Sequence, residues 1–350
     1  MPGTPPGTAA GPGPTVPGRG DPSVRDRPAG AANPTGRAAT GMRGKAEHLA
    51  AIRQQRRAVL VVNTRSRRGQ RLYRAARGQL EAADFNLLGV FPVSQPGELD
   101  ASLAAAVDLG PDLLIAGGGD GTLSLAARHL AYRDMAMGVL PLGTTNNFAR
   151  SLGIPPGVAG AVDVLTRGKV ADVDLGQADG TFFANLVSVG LSGEVADTVP
   201  HALKRLAGRA AYPLTALARL PRHRPFLATV TGTGQSRTMT THQLNIANGS
   251  FHAGRPITAD AGADDRLLMA YSLGGAGRPA LIGSTVRHAL LGTRRRLTEP
   301  AFLVGSDLHL HTDPPLPLDI DGEVRGRTPV RITLAPNALR VMVDQAFIDT

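Results

Sequence analysis

From Ala58 onward the apolar positions follow two alternating periods. AVLVV at 58–62 is a continuous apolar run of strand length, and behind it Leu72, Ala76, Leu80 and Ala83 recur at helical spacing. The pair then repeats. NLLGVF (86–91) precedes LDASLAAAVDL (99–109), and DLLIA (112–116) precedes Leu123, Ala126, Ala127 and Leu130 at i, i+3, i+4 and i+7. MGVL (137–140) precedes Val158, Ala161, Val162 and Leu165, which end at Gly168. Four strand–helix alternations predict an α/β domain with a parallel sheet covered on both faces. Ligands of such sheets collect beyond the carboxyl ends of the strands. Three unusual loops hold those positions: NTRSRRG (63–69), GGGDGT (117–122) and PLGTTNN (141–147). After about residue 175 the period changes to short strand-like pieces separated by Gly, Pro and Asp, with one helical stretch near 199–220. This predicts a second, β-rich domain.

Composition adds boundaries. Residues 1–45 are Pro, Gly, Ala and Thr with scattered arginines, too polar and too glycine-rich to bury a core, and are expected to be a disordered tail. The formal charge of +10 invites a nucleic-acid reading, but residues 1–57 hold nine bases and three acids, which leaves 29 bases against 25 acids elsewhere. With four tyrosines and no tryptophan, base stacking has little to work with, so no nucleic-acid partner is expected. An anionic membrane surface or anionic phosphates remain candidates. The absence of cysteine removes disulfides and thiolate sites together and suits a reducing cytoplasm. No run approaches the roughly 18 apolar residues of a membrane span, and the N-terminus lacks the apolar core of a signal peptide.

The glycine loop carries the strongest chemistry. Gly117, Gly118 and Gly119 have no Cβ to hold a phosphate off, and a helix starting at Thr122 aims its positive end at the same place. Asp120 beside phosphates is repulsive unless a cation lies between them or it handles a proton. Neither GxxxxGK[ST] nor GxGxxG fits, and taken alone the loop reads equally well as a tight turn. PLGTTNNFAR supplies a glycine, hydroxyls and amides suited to a nucleotide, or an ordinary helix cap made by Thr145 or Asn146. Asp321-Gly322 between two strand-like runs reads first as a hairpin turn.

GGGDGT (117–122), LGTTNNFARSLGIP (142–155) and DGE (321–323), with VDLG (173–176) and FFANLVSVGLSGEV (182–195), resemble the diacylglycerol kinase catalytic family in its soluble bacterial lipid kinase branch. The resemblance runs from about Val59 to Val343. It implies a three-layer doubly wound α/β nucleotide domain (46–174), a β-sandwich lipid domain (175–334), and a C-terminal segment (335–350) returning to the first. It also implies an ATP-dependent kinase with Mg²⁺ that phosphorylates a lipid hydroxyl, most simply that of diacylglycerol, as a cytoplasmic protein visiting a membrane surface. A homodimer is left open.

By motif, Asn63, Ser66, Gly118, Gly119, Gly121, Thr122, Gly143, Thr144 and Asn146 line the nucleotide. Asp120 acts near the phosphates through Mg²⁺, Asp321 matches the general base, and Glu323 is its acidic neighbour. Asp174 belongs to the same charged network, and Asp265 matches a structural Mg²⁺ site. Asp120 is the rival base.

Three departures matter. Asn147 stands where the family has aspartate. Arg266 and Met269 replace glycine and aspartate around Asp265, and Thr64 replaces proline beside Arg65, Arg67 and Arg68. Asn147 and Met269 keep open a nucleotide-binding regulator that has lost catalysis, and the GGDG loop, which NAD kinase relatives also use, keeps open a soluble metabolite kinase. His309 and His311 share a strand face without a third ligand, and His252 is read as cleft lining. The basic, apolar segment 203–220 is the candidate for membrane contact, helped by Arg294, Arg295 and Arg296.

Overall fold

The computed structural model describes residues 42–65, 67–95, 97–191, 223–249, 251–252, 255–256, 266–272 and 302–349. The tail to residue 41, Ser66, Asp265, segment 203–220, Arg294, Arg295, Arg296 and the side chain of His252 lie outside the described residues.

The first half contains α1 (Lys45–Gln55), β1 (Arg57–Asn63), α2 (Arg67–Ala82), β2 (Asn86–Val93), α3 (Glu98–Asp108), β3 (Leu113–Gly118), α4 (Asp120–Leu130), β4 (Ala136–Pro141), α5 (Asn147–Ser151) and α6 (Val158–Arg167). The second half contains β5 (Lys169–Ala178), β6 (Thr181–Phe183), β7 (Leu186–Gly190), β8 (Phe226–Gly232), β9 (Gln235–Thr241), β10 (Gln243–Asn248), β11 (Phe251–His252), β12 (Arg255–Pro256) and β13 (Leu268–Ser272). It ends with β14 (Leu303–Gly305), β15 (Asp307–Asp313), β16 (Pro317–Ile320), β17 (Glu323–Arg327) and β18 (Val330–Val343).

Strands β2, β1, β3 and β4 pair in that order and all in parallel. Their central members are buried end to end, as expected when helices cover both faces. Helices α2 and α6 pack together, as do α3 and α4. The apolar stripe Leu123, Ala126, Ala127 and Leu130 is wholly buried. Helix α4 begins at Asp120, two residues before the expected start, with Gly119 at its N-cap.

Two features depart from the expected pattern. Helix α1 was not predicted, because only His48 and Ile52 of its eleven residues are buried. VRITL (330–334) and ALRVMV (338–343), two separate strand-like pieces in the sequence, are one fourteen-residue strand, β18, irregular between Ala335 and Leu339. Its first part pairs with β15 and its last with β4, while β5 runs antiparallel along both. The β5–β18 ladder therefore carries one ten-stranded sheet out of the α/β half and into the β-rich half. A six-stranded sheet, β14-β13-β10-β7-β16-β17, closes over it. Val187, Leu244, Ile246 and Ile320 meet Phe226, Val230, Leu308 and Ile332 in the shared core.

Charge anchors α1 at the edge of the sheet remote from the glycine loop. Arg43 bonds Asp112 and Asp134 at 2.8 and 2.7 Å, and buried Arg340 reaches Asp134 at 2.8 Å and the carbonyl of Arg43. His48, wholly buried, lies 2.9 Å from the Asp112 carbonyl through Nε2, and its Nδ1 accepts from Arg340 at 3.1 Å. Burial lowers its pKa; the Arg43 and Arg340 charges add to this, against the Asp112 carbonyl and Asp134. A depressed folded-state pKa contributes stability that is present above the unfolded value of about 6.5 and is lost as pH falls below it. The thermal midpoint of the wild type should therefore drop as pH is lowered from 7.5 to 5. His48→Gln, which keeps a donor and an acceptor but does not titrate, should show a shallower drop.

Candidate active site

The loops after β1, β3 and β4 meet at one edge. Asn63 at the end of β1 donates to Thr122 Oγ1 at 3.3 Å and accepts from the Arg65 amide at 3.2 Å. The amides of Leu142 and Gly143 both donate to the Gly118 carbonyl, at 2.9 and 3.0 Å. A Cβ at Gly143 would collide with the Gly119 Cα, and one at Gly118 with the Thr122 side chain. Gly121 is exposed with nothing within 4 Å. The glycines thus divide into those that let two loops touch and one that leaves open space.

Asp120 ties the two loops together. Its carboxylate accepts from the Thr145 hydroxyl at 2.7 Å and from the Phe148 amide at 3.1 Å. The expected cap from Thr145 or Asn146 is corrected: Asn146 occupies the N-cap of α5 with φ 49° but makes no side-chain cap bond. Asp120 takes the capping role from 28 residues away and leaves the Thr145 hydroxyl to serve as its donor. Asn146 Nδ2 donates to the Pro141 and Gly143 carbonyls at 3.4 and 3.2 Å, which fixes the orientation of its amide. Its Oδ1 is then a buried acceptor with no partner. Thr144 is exposed at the loop tip, and Asn147 is buried.

The DGE segment takes the hairpin form read for it. Asp321 and Gly322 form a two-residue turn between β16 and β17 with φ values of 51° and 91°, as a tight hairpin requires. The same turn aims the Asp321 carboxylate at α4. Oδ2 accepts from the Ser124 hydroxyl and from the Ala184 amide at 2.7 Å, and Oδ1 from the Asn185 and Leu186 amides at 3.0 and 2.9 Å. Burial raises its pKa above the ordinary carboxylate value; the Ser124 hydroxyl, the amides and the Arg128 charge pull the other way.

Arg128 holds the neighbouring part of the turn. It donates to the Phe182 carbonyl at 2.9 Å, to Glu323 at 2.8 Å and to the Ile320 carbonyl at 3.5 Å. Burial opposes the charge on Glu323, but hydrogen bonds from Arg128 and Arg325 outweigh it and hold its pKa below the ordinary value. Glu323 is 46% exposed, so the ion pair itself contributes no more than about 1 kcal/mol. The bonds to carbonyls position the hairpin.

Neither Ser124 nor Arg128 was singled out in the sequence. With Asp120 they occur at i, i+4 and i+8, one polar stripe along α4. That spacing was the available signal, and it stayed silent until the hairpin supplied its partners.

Asp174 stands on the β5–β18 ladder. It is buried in β5, and its Oδ1 accepts the Asn337 amide at 2.8 Å across the β5–β18 ladder. Arg266 adopts φ 59° where the family has glycine, and it donates to Asn337 Oδ1 at 3.3 Å. His309 and His311 are exposed on β15, and among the described residues no group of three metal-ligating side chains gathers.

Asp120 fits a magnesium ion arriving with a nucleotide. Mg²⁺ commonly takes one or two carboxylates and completes its shell with phosphates and water. Asp120 is the carboxylate of the glycine loop, and each of its oxygens, with one hydrogen bond, keeps a lone pair in reserve.

Comparison with known proteins covers both halves of the chain. The profile of the diacylglycerol kinase catalytic domain matches residues 57–178, and that of the YegS C-terminal NAD kinase beta sandwich-like domain matches residues 185–343. A Stenotrophomonas maltophilia protein named "probable lipid kinase YegS-like" is 31% identical over 261 residues, covering 71% of this chain and 84% of that protein. A Bacillus subtilis diacylglycerol kinase is 42% identical over 117 residues, which are 33% of this chain and 39% of that enzyme. The crystal structure of a diacylglycerol kinase from Bacillus anthracis matches with a TM-score of 0.63 at 21% identity, over 84% of this chain and 98% of that one. At that identity the likeness is one of fold.

Proposed function

The chain belongs to the diacylglycerol kinase catalytic family, in its branch of YegS-like bacterial lipid kinases, and we propose that it transfers the γ-phosphate of ATP to the hydroxyl of diacylglycerol. What supports this is the stripe on α4. Asp120 joins the glycine loop to the second loop, while Ser124 and Arg128, on the same face, hold Asp321 and Glu323 from the other sheet. A phosphate-facing loop and an acceptor-side carboxylate are thereby set one helical turn apart.

The step this equipment suits is in-line displacement. The acceptor oxygen attacks the γ-phosphorus, the bond to the β-phosphate oxygen breaks, and ADP leaves with that electron pair. The positive end of α4 and the amides of the glycine loop bind phosphate oxygens. Asn63, Thr122, Thr144 and the unpartnered Asn146 Oδ1 meet the polar edges of the nucleoside. Asp120 would hold a Mg²⁺ ion, which when bound would neutralise phosphate charge. Asp321, whose two oxygens already accept four hydrogen bonds, receives the acceptor proton in exchange for the bond from the Ser124 hydroxyl. Burial raises its pKa and so makes it a stronger base than an ordinary aspartate.

Incubation with labelled ATP, Mg²⁺ and a panel of diacylglycerol, monoacylglycerol, sphingoid and polyprenol acceptors in mixed micelles tests the reading. Label is expected in phosphatidic acid. Label in NADP from added NAD, with none in any lipid, would reject it, and nucleotide binding with no transfer would indicate a regulator. Asp120→Asn is expected to weaken Mg-ATP binding and transfer together. The neutral amide retains an acceptor for Thr145 or Phe148 but loses the charge that faces the metal.

A further inference from the structure

The outer face of the six-stranded sheet carries polar groups that the Asp321 cluster does not use. Val187, Leu244, Ile246, Ala270 and Ile320 point into the core between the two sheets, so the residues that alternate with them along β16, β7, β10 and β13 face the other way. Register sets these out in two adjacent rows. Asp319, Ser188, Asn245 and Tyr271 stand opposite one another in the first, and all four are buried. The second begins at Asp321, whose amide donates to the Leu186 carbonyl at 3.0 Å, and continues through Leu186, Ala247 and Met269 to exposed Val304 on β14. Met269, where the family has aspartate, leaves this row apolar from Leu186 to the edge strand.

One group in the polar row has no partner. Asn245 is 0% exposed, and its Oδ1 accepts from Gln243 Nε2 at 2.8 Å, which fixes the orientation of its amide. Its Nδ2 is then a buried donor with no hydrogen bond. Such a group costs stability and calls for an explanation. Backbone strain does not supply one, because Asn245 lies within a strand paired in regular register on both sides. Its position relative to Asp321 does. The two residues share a face, two strands and two residues apart, or about 12 Å between backbones. Two side chains, their hydrogen bonds and one glycerol ester cover that span.

We propose that Asn245 selects the acceptor: its Nδ2 donates to an ester carbonyl of an acylglycerol whose hydroxyl lies at Asp321 and whose chain follows the apolar row toward Val304. This rests on the lipid kinase reading and adds to it the residue that recognises the ester. The chemistry of the donor picks the class. An amide N–H pairs only with an acceptor oxygen; an acylglycerol holds carbonyl oxygens close to its hydroxyl, and a polyprenol holds none.

The test measures kcat/KM for dioctanoylglycerol and for its diether analogue dioctylglycerol, which keeps the hydroxyl and lacks both carbonyls. The wild type is expected to favour the diester by roughly tenfold, the effect of one buried hydrogen bond made or left unmade. In Asn245→Leu that ratio should fall to near one, chiefly through a higher KM for the diester. A purely structural role would lower both acceptors alike and keep the ratio, which would overturn the proposal, as would a wild type that treats the two lipids equally. Should Asn245→Leu fail to fold, Gln243→Met/Asn245→Leu, which replaces both partners of the side-chain bond by apolar groups of similar shape, is read in the same way. If the wild type phosphorylates no lipid, calorimetric titration with the same pair separates the two readings. A diester preference that depends on Asn245 would then leave the carbonyl site standing without the kinase, and equal binding of both lipids would reject the site as well.

Discussion

Asp321→Asn is expected to lower turnover by about 10²- to 10⁴-fold, the usual contribution of a positioned general base, with the KM for ATP changed by no more than about threefold. The split between the two constants is the informative part. Asp321 bonds Ser124 and the amides of residues 184–186, none of which belongs to the three loops at the nucleotide edge. An asparagine also places an N–H where the carboxylate accepted hydrogen bonds, at a cost of about 1–3 kcal/mol. A fall in thermal midpoint should therefore accompany the loss of rate without explaining it.

Ser124→Ala supplies the discriminating companion. It keeps the carboxylate and removes a donor that lowers its pKa, so the carboxyl titrates higher still. The base must be ionised to act. The acid limb of the kcat profile should then move to higher pH while the alkaline plateau survives, a shift that a purely structural role for Ser124 would not produce. Should Asp321→Asn stay active while Asp120→Asn is dead, the base is Asp120.

Much of this was legible in the sequence for a physical reason. Strands β1, β3 and β4 are buried on both faces, so their apolar runs are unbroken and the alternation with amphipathic helices stands out. Helix α1 carries no such stripe, because ion pairs to Asp112, Asp134 and Asp172 anchor it, and partners remote in sequence leave no period behind. Strand β18 was divided because Pro336 and Asn337 interrupt it, and the left-handed Asn337 is the irregularity that lets one strand serve both halves. At the site, the loops were readable from their glycines, and DGE as a hairpin or as a base. The hairpin's positive φ at Asp321 turns the carboxylate toward Ser124 of α4, a partner remote in sequence that no local pattern announces.

Gly143→Ala is expected to damage the nucleotide site more than any other glycine substitution in the loops. The added methyl meets the Gly119 Cα and lies 2.7 Å from Asn146 Oδ1. Backbone cannot swing aside as a side chain does, so the second loop must retreat from the glycine loop, lengthening the bonds from Leu142 and Gly143 to the Gly118 carbonyl. The strain of such overpacking is about 1–3 kcal/mol. Asp120 would lose its grip on Thr145 and Phe148, so at least about a fivefold loss of ATP affinity should appear by equilibrium titration, the lower end of that strain expressed as binding. Gly121→Ala isolates the other use of glycine. Its Cβ meets nothing in the protein, and in the first turn of α4 alanine is favoured over glycine by roughly 0.5–1 kcal/mol. The thermal midpoint should hold or rise. If ATP affinity nevertheless falls in Gly121→Ala, the open space at that position belongs to the phosphates. If affinity is unchanged there and lost only in Gly143→Ala, the motif's glycines serve chiefly to bring two loops into contact, and the phosphates are held by what that contact positions.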